Sequence, residues 1–155
     1  MLVRSILNIW TSVTGCSMQI LLDTNILLNW LIETNSKHAE AKHLVQSCLF
    51  DNMIEGYVTS HSLTDVFYIL RKHHRSPEIR RKFILIMVNN FTILTENKEL
   101  FLESLNDPAF FDLEDGLQMK CAENADLDYI VTENLKDFKN SKIPAVSIEE
   151  ALKKL

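Results

Sequence analysis

Short apolar runs alternate with amphipathic segments along this chain of 155 residues, and this alternation restricts its fold more than any other feature. The strand-like runs are residues 19–22, 56–60, 91–94, 128–132 and 145–147. Between them, apolar residues recur at helical spacing, as where Leu63, Val66 and Leu70 share one stripe. Strands that alternate with helices predict a parallel sheet covered by helices on both faces. We therefore expect an α/β fold.

Helix start signals lie at the positions that this alternation requires. Ser36 precedes one predicted helix, Ser76 with its following proline precedes a second, and Asp112 precedes a third. Serine and aspartate are favoured at N-caps, and proline is tolerated in the first helical turn. The apolar segment 83–88 and the phenylalanine pair 110–111 are predicted to lie mainly in the core.

The first residues differ in character from the rest of the chain. Residues 1–17 have one early basic residue, Arg4, and end on small residues around Cys16, which faintly resembles a secretory or lipoprotein signal. Polar side chains such as Asn8 interrupt the apolar stretch and weaken that interpretation. We predict that residues 1–17 are an extension outside the core, consistent with an upstream start codon, and that residues 18–155 form one domain.

Charge and cysteine content narrow the classes of partner. The formal net charge of −5 gives no general attraction to nucleic acid, so a polyanion needs a local basic patch or a metal ion. The three cysteines are widely spaced and odd in number, which indicates neither a disulfide framework nor a zinc site. A reducing cytoplasm fits this pattern. No apolar stretch is long enough to predict a membrane-spanning helix.

Acidic side chains occupy the positions where predicted strands end or helices begin. They are Asp23, Asp65, Asp112, Glu114, Asp115, Glu133 and Asp137. The carboxyl ends of parallel strands form the edge at which such sheets bind ligands, so these carboxylates are expected to meet there. Like charges at short distance repel unless a cation neutralises them, and Mg²⁺ or Mn²⁺ prefers oxygen ligands. Such a cation would assist hydrolysis of a phosphodiester.

Each carboxylate also has a structural interpretation. Asp23 could cap the following helix, and Asp112 with Asp115 has the spacing of a capping box. Asp65 in a first helical turn favours the helix dipole, and Asp137 could be a turn residue. Capping does not explain why an acidic residue follows several different strands, so we favour the chemical interpretation.

A basic segment, residues 71–82, follows the helix that carries Asp65. Its first three basic residues, Arg71, Lys72 and Arg75, are candidates for contact with nucleic-acid phosphates. The alternative is a solvated junction between two helices. His61, just after the second predicted strand, is expected to be a polar residue near the site rather than a metal ligand.

Three quoted motifs resemble the PIN-domain family of metal-dependent ribonucleases, which includes the VapC toxins of bacterial toxin–antitoxin pairs. The motifs are "LLDTNILL", "SLTDVFYIL" and "DLEDGLQMKCAENADLDYIVTENLKDF", and the resemblance covers about residues 18–150. It implies a three-layer fold whose parallel sheet has the strand order 3-2-1-4-5. It also implies an acidic pocket that binds Mg²⁺ or Mn²⁺.

The resemblance assigns roles to individual acidic residues. It implies that Asp23 and Asp115 are metal ligands and catalytic residues. Asp65 stands where the family usually has glutamate, and the resemblance implies that it is a further catalytic acid. Asn134 stands where the family often has aspartate, and Asp137, three residues later, is then the candidate for the fourth catalytic acid.

Three further positions receive supporting roles from the same resemblance. Thr24 and Asn25 would orient Asp23 or contact the metal through water. Glu114 would support Asp115 or touch a second metal ion.

The resemblance implies an RNA substrate, a protein antitoxin and a homodimer, with exposed parts of 83–88 or 110–111 serving such partners. Two other classes stay open at this stage. One is a catalytically weak PIN-fold module that binds RNA or protein, favoured by Asn134 and by Asp65 in place of glutamate. The other is a small phosphohydrolase or receiver-like domain whose Asp23 is a nucleophile or phosphate acceptor.

Overall fold

A five-stranded parallel sheet forms the centre of the protein. The computed structural model describes residues 17–155, so the extension predicted for residues 1–17 lies, apart from Ser17, outside the described residues. The strands are β1 (Met18–Leu22), β2 (Ile54–Thr59), β3 (Thr92–Leu94), β4 (Tyr129–Val131) and β5 (Ala145–Val146). Their order is β3-β2-β1-β4-β5, and every neighbouring pair is parallel. The predicted strand order is confirmed.

Helices cover both faces of the sheet and complete the three layers. They are α1 (Thr24–Leu31), α2 (His38–Phe50), α3 (Ser60–Ile69), α4 (Pro77–Asn90), α5 (Lys98–Asn106), α6 (Leu113–Asn124) and α7 (Ile148–Leu152). Alternation along β1 divides the core, since Ile20 and Leu22 face the larger cluster while Leu21 faces the smaller one. The larger cluster includes α1, α2 and α3, and the smaller one includes α6. The predicted α/β fold is confirmed.

The strand β2 passes unusually close to its neighbours at Gly56. A Cβ atom placed on Gly56 would lie 2.9 Å from Phe91 Cδ1 and 3.2 Å from Cys48 Cβ. Gly56 pairs with Ile20 of the central strand β1. The missing side chain therefore lets Cys48 of α2 and the Phe91 ring, just before β3, pack directly against the backbone of β2.

Most predicted helix starts agree with the structure, and one does not. Ser76 caps α4 by accepting a hydrogen bond from the Ile79 N–H, and Asp112 caps α6 by accepting one from the Glu114 N–H at 2.8 Å. The prediction that Ser36 caps the second helix is wrong, because α2 begins at His38 and the Ser36 side chain is not at its N-cap. A turn precedes α2 and delays its first residue.

Two predictions of core burial also fail in part. In segment 83–88 only Met87 is buried, and Leu85, Ile86 and Val88 are exposed. Phe111 is fully exposed, because it projects from the loop before α6 with no element packed over it. Both cysteines of the described region, Cys48 and Cys121, are buried free thiols. Among residues 17–155, no helix combines the length and hydrophobicity needed to cross a membrane.

Candidate active site

Asp23 lies at the carboxyl end of the central strand β1. Its backbone N–H donates to the Val131 carbonyl of β4 at 3.1 Å, which extends the sheet by one residue. Asp23 occupies the N-cap position of α1, but its side chain makes no capping hydrogen bond. The side chain is only 4 % exposed. Helix capping therefore does not explain a buried carboxylate at this position.

Side chains from three elements fix the Asp23 carboxylate. The Thr132 hydroxyl donates to Oδ2 at 2.6 Å, and the Asn25 amide donates to the same oxygen. The Gln118 amide of α6 donates to Oδ1 at 2.8 Å. Asn25 Oδ1 in turn accepts the Glu133 N–H at 3.2 Å. These donors hold the carboxylate in one orientation.

Gln118 is a functional candidate that the sequence analysis missed. It is 1 % exposed, and its Oε1 has no hydrogen-bond partner among the described residues. The available signal was its position three residues after Asp115, which places both side chains on the same face of a helix. A buried amide with one unpaired oxygen costs free energy, and such groups are concentrated at functional sites.

Asp115 and Glu114 begin α6 and face the same side as Asp23. Asp112 provides the cap, and Asp115 makes no hydrogen bond to the Asp112 N–H within the described region, so the two do not form a capping box. Burial raises the pKa of Asp115 to about 7, and the charges of Asp23, Asp112 and Asp137 contribute. Burial thus disfavours the ionised Asp115 carboxylate, and the neighbouring carboxylates add to this effect.

Thr24 contacts Glu114 rather than Asp23. The Thr24 hydroxyl lies 2.9 Å from Glu114 Oε1 and 2.8 Å from Ser62 Oγ, and Ser62 lies 2.7 Å from Thr59 Oγ1. Burial raises the pKa of Glu114; the hydrogen bond from Thr24 opposes this, and the charge of Asp65 adds to the increase. A chain of buried hydroxyl groups therefore connects the Glu114 carboxylate to the end of β2.

The remaining predicted acids lie around this centre. Asp65 is half-buried on α3, and its effect on Glu114 places it on the same side of the sheet. Asp137 and Asn134 are exposed in the loop after β4 and line one cleft together with Asp115. The structure thus brings the predicted acids of four segments to one edge of the sheet.

The predicted basic contacts lie elsewhere. Arg71 and Lys72 form a 3₁₀ turn after α3, and Arg75 lies in the following loop. None of the three lines the cleft beside Asp115. The Arg71 guanidinium instead lies 3.8 Å from the centre of the Tyr68 ring. The cleft contains two other basic residues, Lys136 and Lys139, which the sequence analysis did not single out.

His61 has a carboxylate partner that the sequence analysis did not foresee. Its Nδ1 pairs with Oε1 of Glu96, which follows β3, and Glu96 also accepts a hydrogen bond from the Ser60 hydroxyl. Burial opposes ionisation of Glu96, but the hydrogen bonds from Ser60 and His61 lower its pKa overall. His61 is therefore a fixed polar residue near the acidic centre, in agreement with its prediction.

The donor set fits a hard divalent cation. Within residues 17–155, no three carboxylate, imidazole or thiol groups lie close enough to form a complete ligand set by themselves. However, no ion pair joins Asp23, Glu114 or Asp115 to any basic side chain of the described region. Mg²⁺ typically binds one or two carboxylates and completes its shell with water and phosphate. Asp23 and Asp115, of which Asp115 lines an open cleft, provide two such carboxylates.

Several proteins of known structure share this architecture. The family model of the PIN domain matches residues 19–136, which include Asp23, Asp65 and Asp115. The sarcin–ricin-loop-cleaving toxin VapC20 of Mycobacterium tuberculosis is similar in structure, with a TM-score of 0.64 and 12 % identity over 80 % of this chain and 95 % of that one. No curated protein matches the sequence significantly.

Two assemblies contain similar chains. One is VapBC2 from Rickettsia felis bound to a DNA fragment from the promoter, with a TM-score of 0.62 and 17 % identity over 84 % of this chain and 98 % of that one. The other is a toxin–antitoxin complex from Klebsiella pneumoniae, with a TM-score of 0.61 and 23 % identity over 83 % and 97 % of the two chains. At these low sequence identities, the structural similarity establishes a shared fold and nothing further.

Proposed function

The chain belongs to the PIN domain family, and from this premise we propose that it is an Mg²⁺- or Mn²⁺-dependent endoribonuclease, the toxin of a toxin–antitoxin pair. One observation carries the proposal. The carboxylates of Asp23, Glu114 and Asp115 all lie at the carboxyl edge of the sheet, and none of them forms an ion pair with a basic side chain of residues 17–155. A cation is the simplest way to neutralise them.

Asp23 and Asp115 would hold the cation, and the remaining groups would position them. A bound cation would acidify water and stabilise the charge that develops on a phosphodiester. Asn25, Thr132 and Gln118 keep the Asp23 carboxylate in place through their hydrogen bonds. Such supporting contacts orient ligands and tune their basicity.

The reaction also needs a group that accepts a proton from the attacking water. Asp137 is one candidate, because it is exposed in the same cleft as Asp115. Asp65 is the other, because its charge acts on Glu114 across the centre. Water would add to phosphorus, the bond to the leaving sugar oxygen would break, the carboxylate would take the water's proton, and the leaving oxygen would gain a proton from solvent.

The proposed partners are an RNA substrate and a protein antitoxin. Support for the antitoxin comes from the toxin–antitoxin complexes among the similar structures. An apolar groove between α3 and α4, including Leu63, Phe67 and Leu85, offers such a partner or a second copy of this chain a surface. The proposed RNA substrate and the free cysteines suit a cytoplasmic location.

The test is cleavage of a mixed RNA pool in Mg²⁺ or Mn²⁺. The wild type is expected to cut RNA and to stop when EDTA is added. Asp23→Asn is expected to lose cleavage, because it removes a charge that would bind the cation. Asp126→Asn is a matched control, since Asp126 is exposed in the turn before β4 and has φ 52°, a conformation that asparagine tolerates.

A second candidate function is a PIN-fold module that binds RNA or protein without turnover. Asn134 and Asp65 favour it, because Asn134 is uncharged where the family often has aspartate and Asp65 is shorter than the usual glutamate. A folded wild type that binds RNA but cleaves nothing in either metal ion would support this candidate. Cleavage that persists in Asp23→Asn would contradict the proposed catalytic centre.

A further inference from the structure

An open cleft beside Asp115 is lined by side chains that metal binding alone does not explain. Its volume is about 550 Å³, within the roughly 300–1,000 Å³ of small-ligand sites. The loop before α6 forms one wall and contributes Phe111. The loop after β4 forms the other wall and contributes Lys136 and Lys139. One cleft therefore combines an aromatic ring, two ammonium groups and the acidic centre.

Phe111 is fully exposed although the loop that carries it is anchored. The Asp107 side chain accepts a hydrogen bond from the Ala109 N–H at 3.0 Å, and the Asp107 carbonyl accepts one from the Phe110 N–H at 3.4 Å. The Asp107 carboxylate also forms an ion pair with Lys120 of α6 at 3.0 Å. An exposed phenylalanine forgoes the stabilisation that burial of its ring would give, so a fixed loop that presents one to a cleft suggests a ligand with an apolar face.

Lys136 and Lys139 provide positive charge in the same cleft. Both are exposed, and neither forms an ion pair with any residue that the structure describes. They flank Asp137 in the sequence and share its cleft. Unpaired lysines beside an acidic centre would draw a polyanion toward carboxylates that would otherwise repel it.

We propose that this cleft binds single-stranded RNA, with one base stacked on Phe111 and the adjoining phosphates held by Lys136 and Lys139. The inference rests on the proposed function for the identity of the polymer. A base can lie on an aromatic ring only when it is unpaired and unstacked from its neighbours. The cleft thus selects unpaired RNA and places the next phosphodiester near Asp115.

An RNA-binding measurement tests this proposal. Fluorescence anisotropy in Ca²⁺ reports the binding of a fluorescein-labelled, mixed-sequence RNA of about ten nucleotides. Phe111→Ala is expected to weaken binding roughly 5- to 150-fold, the range for loss of one base–aromatic stack. Phe50→Ala is the matched control, since Phe50 is 81 % exposed at the end of α2 and outside the cleft. It is expected to bind like the wild type.

Two further variants distinguish direct contact with RNA from a purely structural role of Phe111 and the cleft lysines. Phe111→Trp is expected to retain binding and to show indole fluorescence that is quenched when RNA binds. Removal of both cleft lysines by Lys136→Ala and Lys139→Ala is expected to reduce the slope of log affinity against log salt by about 1.4, or about 0.7 for each phosphate contact. Lys42→Ala with Lys98→Ala removes equal charge from exposed positions elsewhere and is expected to leave the slope unchanged.

Four outcomes test the proposal. Equal RNA binding by Phe111→Ala and wild type overturns the proposal, as does equal binding of the same sequence as a duplex. If the wild type cleaves RNA but Phe111→Ala binds and cleaves equally well, the cleft proposal fails and the ribonuclease stands. If no protein cleaves RNA but Phe111→Ala loses binding, the ribonuclease fails and the cleft proposal stands.

Discussion

Asp23 is the residue on which the candidate site depends, because its carboxylate joins three elements that are distant in sequence. Thr132 and Gln118, which donate to it, lie 109 and 95 residues further along the chain. A buried carboxylate that accepts this many hydrogen bonds has lost most of its freedom to rotate. Fixed orientation is the property that a metal ligand needs.

Gln118→Met tests the support that α6 gives to Asp23. The change keeps the side chain's length and removes the amide that donates to Asp23 Oδ1. We expect Mn²⁺ affinity to fall about 10-fold, the lower end for loss of a supporting contact, as measured by calorimetric titration. Gln46→Met, on an exposed position of α2, is the control. Unchanged affinity in Gln118→Met would show that the amide does not position the carboxylate.

Asp115 makes stability depend on pH in a direction opposite to that of most carboxyl groups. Its pKa is raised from an ordinary 3.8 to about 7, so the folded state binds more protons than the unfolded state between these values. The stabilising contribution is complete below about pH 4 and is lost as pH rises through about 7. In EDTA, the wild-type melting temperature should therefore fall more steeply across this window than that of Asp115→Asn. Parallel curves would contradict this account.

At the scale of single elements, β2 depends on the absence of a side chain. Gly56→Ala would place a Cβ 2.9 Å from the buried Phe91 ring, so we expect a loss of roughly 1–3 kcal/mol in unfolding free energy by urea titration. Gly116→Ala in α6 is the control, because its Cβ would meet Ser104 Cβ at an ordinary 3.4 Å. That change should be neutral or stabilising, since alanine is favoured over glycine in a helix. Equal losses in both variants would argue against crowding at Gly56.

The elements themselves were largely predictable from local sequence. Apolar periodicity and cap residues such as Ser76 and Asp112 depend on neighbours within a few positions, so the strands and most helix starts agree with the prediction. The prediction for Ser36 failed because this residue lies within the turn before α2, one position ahead of the N-cap residue Lys37. The predicted burial of Phe111 was wrong, because hydrophobic character alone cannot reveal that nothing packs over a loop.

The whole molecule adds what local sequence could not provide. Strand order followed from the family resemblance and placed the acidic residues on one edge. The individual contacts did not follow, because Gln118–Asp23 and Thr24–Glu114 join side chains 95 and 90 residues apart. Lys136 and Lys139 were likewise overlooked in favour of the denser basic segment 71–82. Their importance depends on the shape of a cleft that only the assembled layers create.

Cation binding should stabilise the whole fold if the edge of the sheet is a metal site. At a free Mn²⁺ concentration of 100 times its dissociation constant, the expected gain is about 2.7 kcal/mol. Differential scanning fluorimetry should show a higher melting temperature for the wild type and for Asp126→Asn. Asp23→Asn should show no such increase. A shift of the same size in Asp23→Asn would place the bound cation somewhere else.

The central position of β1 also determines when the proposed centre can exist during synthesis. The ribosome delivers Asp23 early, whereas Asp115, Gln118 and Thr132 belong to the final third of the chain. A growing polypeptide therefore carries Asp23 without any of these partners until α6 and β4 have been synthesised. Under the proposed ribonuclease function, this order keeps the nascent chain inactive toward RNA up to that point.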